Sequence, residues 1–320
     1  MNKLSATLVA KDYGFLSPLA LGDVETGQFD LRIDRDTKRA IDRTLRDPNV
    51  MIGESSISRH VARLAAGDDT WSAVPFFLMS GFRHRCFFVR KDSGMSTFQD
   101  LIGKRVGTDN WMASGNTWGR AAMREQGVQP SQLKWVCGPV EGPPQDRPQG
   151  NLPKYAQIAP ADRNLSSMML DGDLDALMCP DVPAGFYESG SPFRRLFVDY
   201  RDIEEAYYAR TGIWPGIHLT VIRRTLLQEQ PGLARAVYEA LDSSYQQWVQ
   251  GRIYLNETPW MLEELEASAR LVGNDWLENG IETTRHMVSS FCDESFEQGL
   301  VSTRVDPNRI FDDFTQAAKA

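Results

Sequence analysis

The sequence predicts an α/β protein of two lobes with a helical C-terminal region. Strand-like and helix-like segments alternate from the N-terminus to about residue 223. Past Pro231 the chain reads as almost continuous helix. Its length of 320 residues matches two domains at roughly 150 residues each, enough to bury a core in both.

Taken in order, Lys3–Val9 reads as the first strand. Thr37–Arg46 is a helix that ends before Pro48, and Asn49–Gly53 is a short strand. Ile57–Ala66 is a helix that Gly67 is placed to close. His84–Arg90 is a strand, and the Thr97–Asp100 spacing starts a short helix that stops at Gly103. Lys104–Thr108 is a strand, followed by a polar loop, a helix over 117–126 and a strand over 133–137. Residues 138–164 hold six prolines and three glycines and read as a loop inside the second lobe. Beyond it come a helix over 165–170, strands over 174–179 and 196–200, a helix over 202–210 and a strand over 217–223. The C-terminal helices are expected at 232–251, 259–271, 282–298 and 306–317. A chain that opens with strands, passes through an α/β block and closes with helices suits two crossings between lobes. The first lobe then holds residues 1–92 and 201–320, and the second, inserted lobe 93–200.

Composition narrows the function. There are 43 Asp and Glu against 35 Lys and Arg, a net charge of −8, with 42% hydrophobic and 24% charged residues. That is the profile of a globular protein, neither disordered nor collagenous. The acidic balance disfavours sequence-independent nucleic-acid binding, which needs cations for phosphates, but it allows a local basic pocket. No apolar run approaches the ~18 residues of a membrane span. Ser5, Thr7, Lys11 and Asp12 interrupt the N-terminal stretch too soon for a signal-peptide core. Cys86, Cys137, Cys179 and Cys292 are scattered, with no CxxC. The expectation is a reduced, cytoplasmic, metal-free protein without nucleic-acid or membrane partners. There is no HxH or HExxH metal pair, no nucleotide loop and no GxSxG elbow. Acidic stretches such as Glu263–Glu266 read as solvated faces or as surfaces of a homo-oligomer.

Several strings stand in a recognisable order. Arg83-His84 follows Pro75-Phe-Phe and opens a strand continuing Cys-Phe-Phe-Val. Asp92–Gly94 (DSG), Leu101–Gly107 (LIGKRVG), Leu174–Leu177 (LDAL) and Arg195–Phe197 (RLF) come next. Ala206–Ile213 (AYYARTGI), His218 with Val221–Arg224 (VIRR), Arg285-His286 and Glu297–Leu300 (EQGL) complete the set. Over nearly the whole chain this resembles the 4,5-dihydroxyphthalate decarboxylase family. The resemblance implies a type II periplasmic-binding-protein-like fold, with a ligand clamped in the cleft between two α/β lobes. It also implies non-oxidative loss of one carboxylate from a dihydroxylated aromatic diacid, without an obligatory organic cofactor. A small aromatic acid is then the expected partner. Relatives in the wider superfamily are solute-binding proteins, which makes a non-catalytic binding role the alternative; the missing signal-peptide features count against it. A ligand-sensing module would need an effector domain for which this chain has no room.

Such a decarboxylation needs a base near the phenol, an acid near the carbon that loses carbon dioxide, and cations for the retained carboxylate. Histidine suits the proton transfers and the arginine fork suits carboxylate. His84, between Arg83 and Arg85 at the mouth of a strand, is a candidate for a cleft role or a structural one. His218 begins a strand after Trp214-Pro-Gly and is the second candidate. His286, on a helix after Arg285, is either functional or a packing or surface residue, and His60 reads as structural. Glu54 could act as a base or orient a histidine. Ser56 and Ser58, in the segment expected to join strand to helix, could face an anion or simply cap the helix. Asp12 is placed with this N-terminal set. In the second lobe Trp111, Met112 and Ser114 occupy the corresponding loop; Trp111 could stack on a ring or fill the core. Arg120 could reach the cleft or be a solvated helix residue, and Asp181 could line the same lobe or act as a cap. Arg83, Arg85 and Arg120 would hold carboxylate, His84 and His218 would carry protons, and Glu54 would tune one of them. Arg223 and Arg224 read as structural or solvated.

Overall fold

The computed structural model describes residues 4–142, 152–254, 257–273 and 278–317. Its strands, in chain order, are β1 (Leu4–Ala10), β2 (Phe29–Arg35), β3 (Ile52–Ser56), β4 (Trp71–Ser80), β5 (Phe87–Arg90), β6 (Arg105–Thr108), β7 (Lys134–Cys137), β8 (Ala156–Ile158), β9 (Ala176–Met178), β10 (Phe193–Arg195) and β11 (Gly216–Arg223). The chain forms two compact units. One comprises Met1–Ser80, Gly216–Cys292 and Val305–Ala320, the other Gly81–Pro215 and Asp293–Arg304. The sequence places two crossings, at 92/93 and 200/201. The units instead divide at 80/81 and 215/216, and residues 293–304 also go with the second. β5 is a strand of the second sheet, and the helix Tyr200–Thr211 sends Glu204 to the Arg85 backbone of that same unit.

The first unit carries a five-stranded sheet in the order β2-β1-β3-β11-β4. β1 is parallel to β2 and β3, and β11 is antiparallel to both β3 and β4. Two of these strands were not expected. β2 alternates Phe29, Leu31 and Ile33 toward the core with Asp30, Arg32 and Asp34, so its charges mask an edge strand. β4 contains Pro75, which a central strand would reject but an edge strand tolerates. β3 begins at Ile52, so Glu54, Ser55 and Ser56 are strand residues and not a loop. The core beneath the sheet joins Leu8, Ile52, Phe76, Leu78 and Ile222 to Leu233, Val237 and Leu241 of the helix Leu233–Tyr254.

In the second unit the order is β10-β5-β9-β6-β7-β8. β9, β6, β7 and β8 run parallel, and β5 is antiparallel to β9 and β10. His84–Cys86 is a 3-10 turn ahead of β5, so the expected strand starts at Phe87. The proline-rich segment contributes β8 to the sheet edge, while its residues 143–151 lie outside the described residues. The strand expected at 196–200 lies earlier, as β10, with Leu196 and Phe197 buried just past its end. Phe88, Val136, Leu165, Met169, Leu177 and Cys179 share one core. All four cysteines are buried and unbridged. No described helix is long and apolar enough to cross a membrane.

One close approach sets the position of β3. An ideal Cβ on Gly53 would stand 2.2 Å from Thr44 Oγ1, because the helix Ala40–Arg46 lies directly on the strand. Gly53→Ala is expected to destabilise the protein by ~1–3 kcal/mol in urea unfolding, and Thr44→Ala in the same chain to recover most of the loss. An unshifted midpoint for the single variant would show that this helix has room to move.

Candidate functional site

In the first unit, strand alternation builds a polar end onto an apolar sheet face. Ile52, Glu54 and Ser56 share one face of β3, and the register sets Ile222, Thr220 and His218 of β11 opposite them. Ile52 and Ile222 belong to the core; Glu54, Ser56 and His218 continue the same face as polar residues. Pairing of β11 with β4 is irregular around His218, the kind of bulge that re-aims a side chain. β1 ends beside β3 and delivers Lys11 and Tyr13, so the groups meet at the carboxyl ends of two parallel strands, where open α/β sheets bind ligands.

Glu54 is completely buried. Its Oε1 lies 2.6 Å from His218 Nδ1 and accepts from the Tyr13 hydroxyl at 2.8 Å. Oε2 accepts from the Lys11 backbone N–H at 2.8 Å. Tyr13 Oη is also 3.4 Å from His218 Nδ1. Burial alone would raise the Glu54 pKa, but the hydrogen bond and charge of His218, with the Lys11 and Tyr13 donors, outweigh it and hold the carboxyl below its usual value. Tyr13, buried and beside that carboxylate, is pushed far above the ordinary tyrosine range and stays a hydrogen-bond donor. The result is an ionised carboxylate that fixes one histidine nitrogen and leaves Nε2 on the far side of the ring. Side-chain exposure of His218 is 12%. Ser56 Oγ is 3.2 Å from Ser58 Oγ and accepts from the Arg59 N–H at 3.4 Å, so Ser56 caps the helix Ile57–Ala65.

In the second unit the predicted residues gather around the helix Ser114–Glu125. Arg83 is 6% exposed. Its guanidinium lies flat on Gly115: an ideal Cβ there would stand 2.9 Å from both Arg83 Cζ and Nε. Among the described residues Nη1 reaches only the Cys86 sulfur, at 3.7 Å. Arg120 is completely buried. Nε donates to Gln298 Oε1 at 2.6 Å and Nη2 to the Trp111 carbonyl at 2.8 Å, while Cζ sits 3.9 Å over the Trp111 ring. Burial works against its charged form. Trp111, also fully buried, packs edge-on against Trp135 and Tyr155. Met112 N donates to Asn110 Oδ1, and Ser114 is buried at the first helical position.

The structure thus joins Glu54, His218, Ser56 and Ser58 in one unit, and Arg83, Trp111, Met112, Ser114 and Arg120 in the other. Arg120 is a core residue that ties the Trp111 loop to Gln298, not a solvated one. Asp12 is exposed and ion-paired with Arg35 at 3.1 Å. Arg85 is engaged by Glu204, through its backbone N–H at 3.2 Å and its guanidinium at 3.9 Å. Asp181 and His286 are exposed. His84 is buried against Phe98, Phe197 and Tyr207, with neither ring nitrogen hydrogen-bonded among the described residues. Arg223 donates to the Val50 carbonyl and covers Trp71. Sequence reasoning missed Tyr13 and Glu204. Tyr13 lies on an unremarkable stretch after β1, and Glu204 sits in a helix whose buried face includes Tyr207. Burial raises the Glu204 pKa, with Arg85, Arg195 and Arg83 working against that rise. Among the described residues no cluster of three or more His, Cys, Asp or Glu side chains is placed to hold a metal ion.

Known proteins resemble this chain at two levels. A family model described as NMT1/THI5 like matches residues 82–140. A 4,5-dihydroxyphthalate decarboxylase of Comamonas testosteroni is 29% identical over 323 residues, spanning 97% of this chain and 97% of that protein. Another, of Pseudomonas putida, is 30% identical over 219 residues, 65% of this chain and 83% of its own length. Among solved structures, the periplasmic aliphatic sulphonate binding protein SsuA from Escherichia coli matches with a TM-score of 0.57 at 14% identity, over 97% of this chain and 98% of SsuA. The fold is periplasmic-binding-protein-like.

The surroundings of His84 give a pH test. Burial lowers its pKa from 6.5 to about 4. The unfolded chain therefore takes up the proton first, so stability is full above pH ~6.5 and falls as the pH drops toward 4. The loss from His84 reaches up to ~3 kcal/mol. His84→Leu is expected to fold and to flatten urea-unfolding stability across that window. His60, whose pKa burial likewise lowers to about 4, contributes to the slope that remains, as do the carboxyls of Glu54 and Asp68 at its acid end. An equally steep profile in His84→Leu would remove His84 from this account.

Proposed function

Because this chain belongs to the 4,5-dihydroxyphthalate decarboxylase family, we propose that it releases carbon dioxide non-oxidatively from a hydroxylated aromatic dicarboxylic acid. The observation that supports this reading most is the buried Glu54–His218 pair at 2.6 Å. In a 4,5-dihydroxyphthalate-like ring each carboxylate is para to a hydroxyl. Withdrawing the hydroxyl proton pushes electron density onto the carbon that bears the carboxylate, and a proton is added there. The carbon–carbon bond then breaks, its electron pair restores the aromatic ring, and carbon dioxide departs. One carboxylate is exchanged for one proton. The ring itself holds the electron pair, so the chemistry does not call for an electron-sink cofactor.

His218 is the group suited to move that proton. Glu54 holds Nδ1, so Nε2 is the ring nitrogen that would exchange a proton with substrate while the carboxylate stabilises the charge that the ring acquires. Tyr13 and the Lys11 N–H, both donating to Glu54, add to the hold of His218 on its ionised form.

Turnover is tested by incubating the protein with 4,5-dihydroxyphthalate and related phenolic acids while following carbon dioxide release. His218→Ala is expected to lower kcat by roughly 10²–10⁴-fold with a smaller change in KM. Glu54→Gln, which keeps the shape and removes the charge, should fall in the same direction. Exhaustive chelation is expected to leave the rate intact; a loss restored by added metal would overturn the cofactor-free reading. The periplasmic-binding-protein-like fold keeps a second reading open, a solute-binding protein without catalysis. Saturable binding with no turnover across the panel would decide for it.

A further inference from the structure

We propose that the start of the helix Ser114–Glu125, together with Arg83, forms an anion site for a carboxylate group in the second unit. The decarboxylase reading identifies that carboxylate as belonging to an aromatic diacid; the anion site itself does not depend on that reading.

The argument begins from a charge held in the wrong place. The first turn of a helix carries the positive end of its dipole, with backbone N–H groups pointing outward. This helix has twelve residues, and Ala113 at its N-cap has no side-chain oxygen to accept from them. A cation laid against such a turn is repelled, yet the Arg83 guanidinium rests directly on Gly115. Arg83 is more than nine-tenths buried, pairs with no carboxylate among the described residues, and keeps a buried Nε without a hydrogen-bond partner. Two like potentials share one spot, and the acidic side chains nearby are bonded to other groups: Asp109 accepts from Asn116 at 2.7 Å, and Glu204 from the Arg85 N–H at 3.2 Å. A carboxylate accepting from both the guanidinium and the helix start resolves that conflict.

Gly115 makes the approach feasible. Any side chain there would meet Arg83 Cζ and Nε at 2.9 Å, and glycine inside a helix costs roughly 0.5–1 kcal/mol relative to alanine. The sequence carries that cost where it lets a guanidinium touch the backbone. Arg120, also buried, is held differently: one nitrogen, Nη1, is likewise without a partner among the described residues, but Nε and Nη2 are taken by Gln298 and Trp111 and the flat face by the Trp111 ring. Among the described residues Arg83 hydrogen-bonds only a thiol.

The test uses phthalate, which carries the two carboxylates but lacks the hydroxyls needed for turnover, with inorganic sulfate as a second arm. In calorimetry and thermal-shift measurements phthalate is expected to bind saturably and raise the melting temperature. Arg83→Met should weaken binding by roughly 10- to 100-fold without lowering the melting temperature of the unliganded protein, since it removes an unpaired buried charge. Arg83→Lys should retain part of the affinity, and Gly115→Ala should weaken binding by displacing the guanidinium. If Arg83→Met does not fold, the Lys and Gly115 variants carry the same comparison. Phthalate affinity unchanged in these variants, or no binding of either anion by the native protein, overturns the site. Sulfate bound in place of phthalate with the same dependence on Arg83 keeps the anion site and overturns its assignment to an aromatic carboxylate. Arg83-dependent phthalate binding in a protein that never turns over 4,5-dihydroxyphthalate would sustain the site and sink the decarboxylase reading. Full turnover at unchanged KM in Arg83→Met would do the reverse.

Discussion

A carboxylate with no surface in water must receive its hydrogen bonds from the protein, and Glu54 is that carboxylate. Leaving it charged and unpaired would cost several kcal/mol. Three donors from different parts of the chain meet it: the Lys11 N–H, the Tyr13 hydroxyl and His218. Much of the first unit follows from that requirement. β1 must end where Lys11 can turn its N–H toward β3. β11 must pair with β3 in the register that sets Thr220 opposite Glu54 and His218 opposite Ser56. Slipping either strand by one residue would turn the whole polar set to the other face and leave the charge alone.

The second unit handles buried charge in three distinct ways. Glu204 stays near an ionised partner, with Arg85 donating from its backbone and standing within ion-pair reach. Arg120 is surrounded by neutral acceptors and an indole face, which disperse its charge without neutralising it. Arg83 feels the charge of Glu204 but makes no ion pair with it, and among the described residues it hydrogen-bonds only the Cys86 sulfur. That difference, more than burial alone, separates a cation that holds a structure together from one poised for a ligand.

The sequence foretold the alternating architecture because glycines, prolines and apolar runs punctuate it locally. Ile57–Ala65 and the helices past Pro231 lie within a few residues of where their periodicity puts them. β2 and β4 were hidden for physical reasons. An edge strand can carry charge on alternate residues, and it can hold a proline because one side of its ladder is unpaired. The site was legible as residues but not as a geometry. Glu54 and His218 each stand out by type, yet their pairing depends on the β3–β11 register, a long-range fact with no local signal. Tyr13 left even less trace, since its role comes from where β1 ends. By sequence Trp111 suits a stacking role or the core, and Arg120 the cleft or a solvated helix face. The packing of one on the other decides for the core in both cases.

Net charge describes a protein poorly at the distance where a ligand is held. The excess of acidic residues, −8 overall, resides in groups such as Glu263, Glu264, Glu282 and Asp293, which face solvent. Screening confines the reach of such exposed charges to about 8–10 Å in ordinary salt. Arg83 is screened far less, because little water or salt reaches a residue 6% exposed. An acidic exterior and an anion-accepting interior are therefore compatible in one chain. The surface charge favours solubility, and the buried guanidinium decides locally which group can be held.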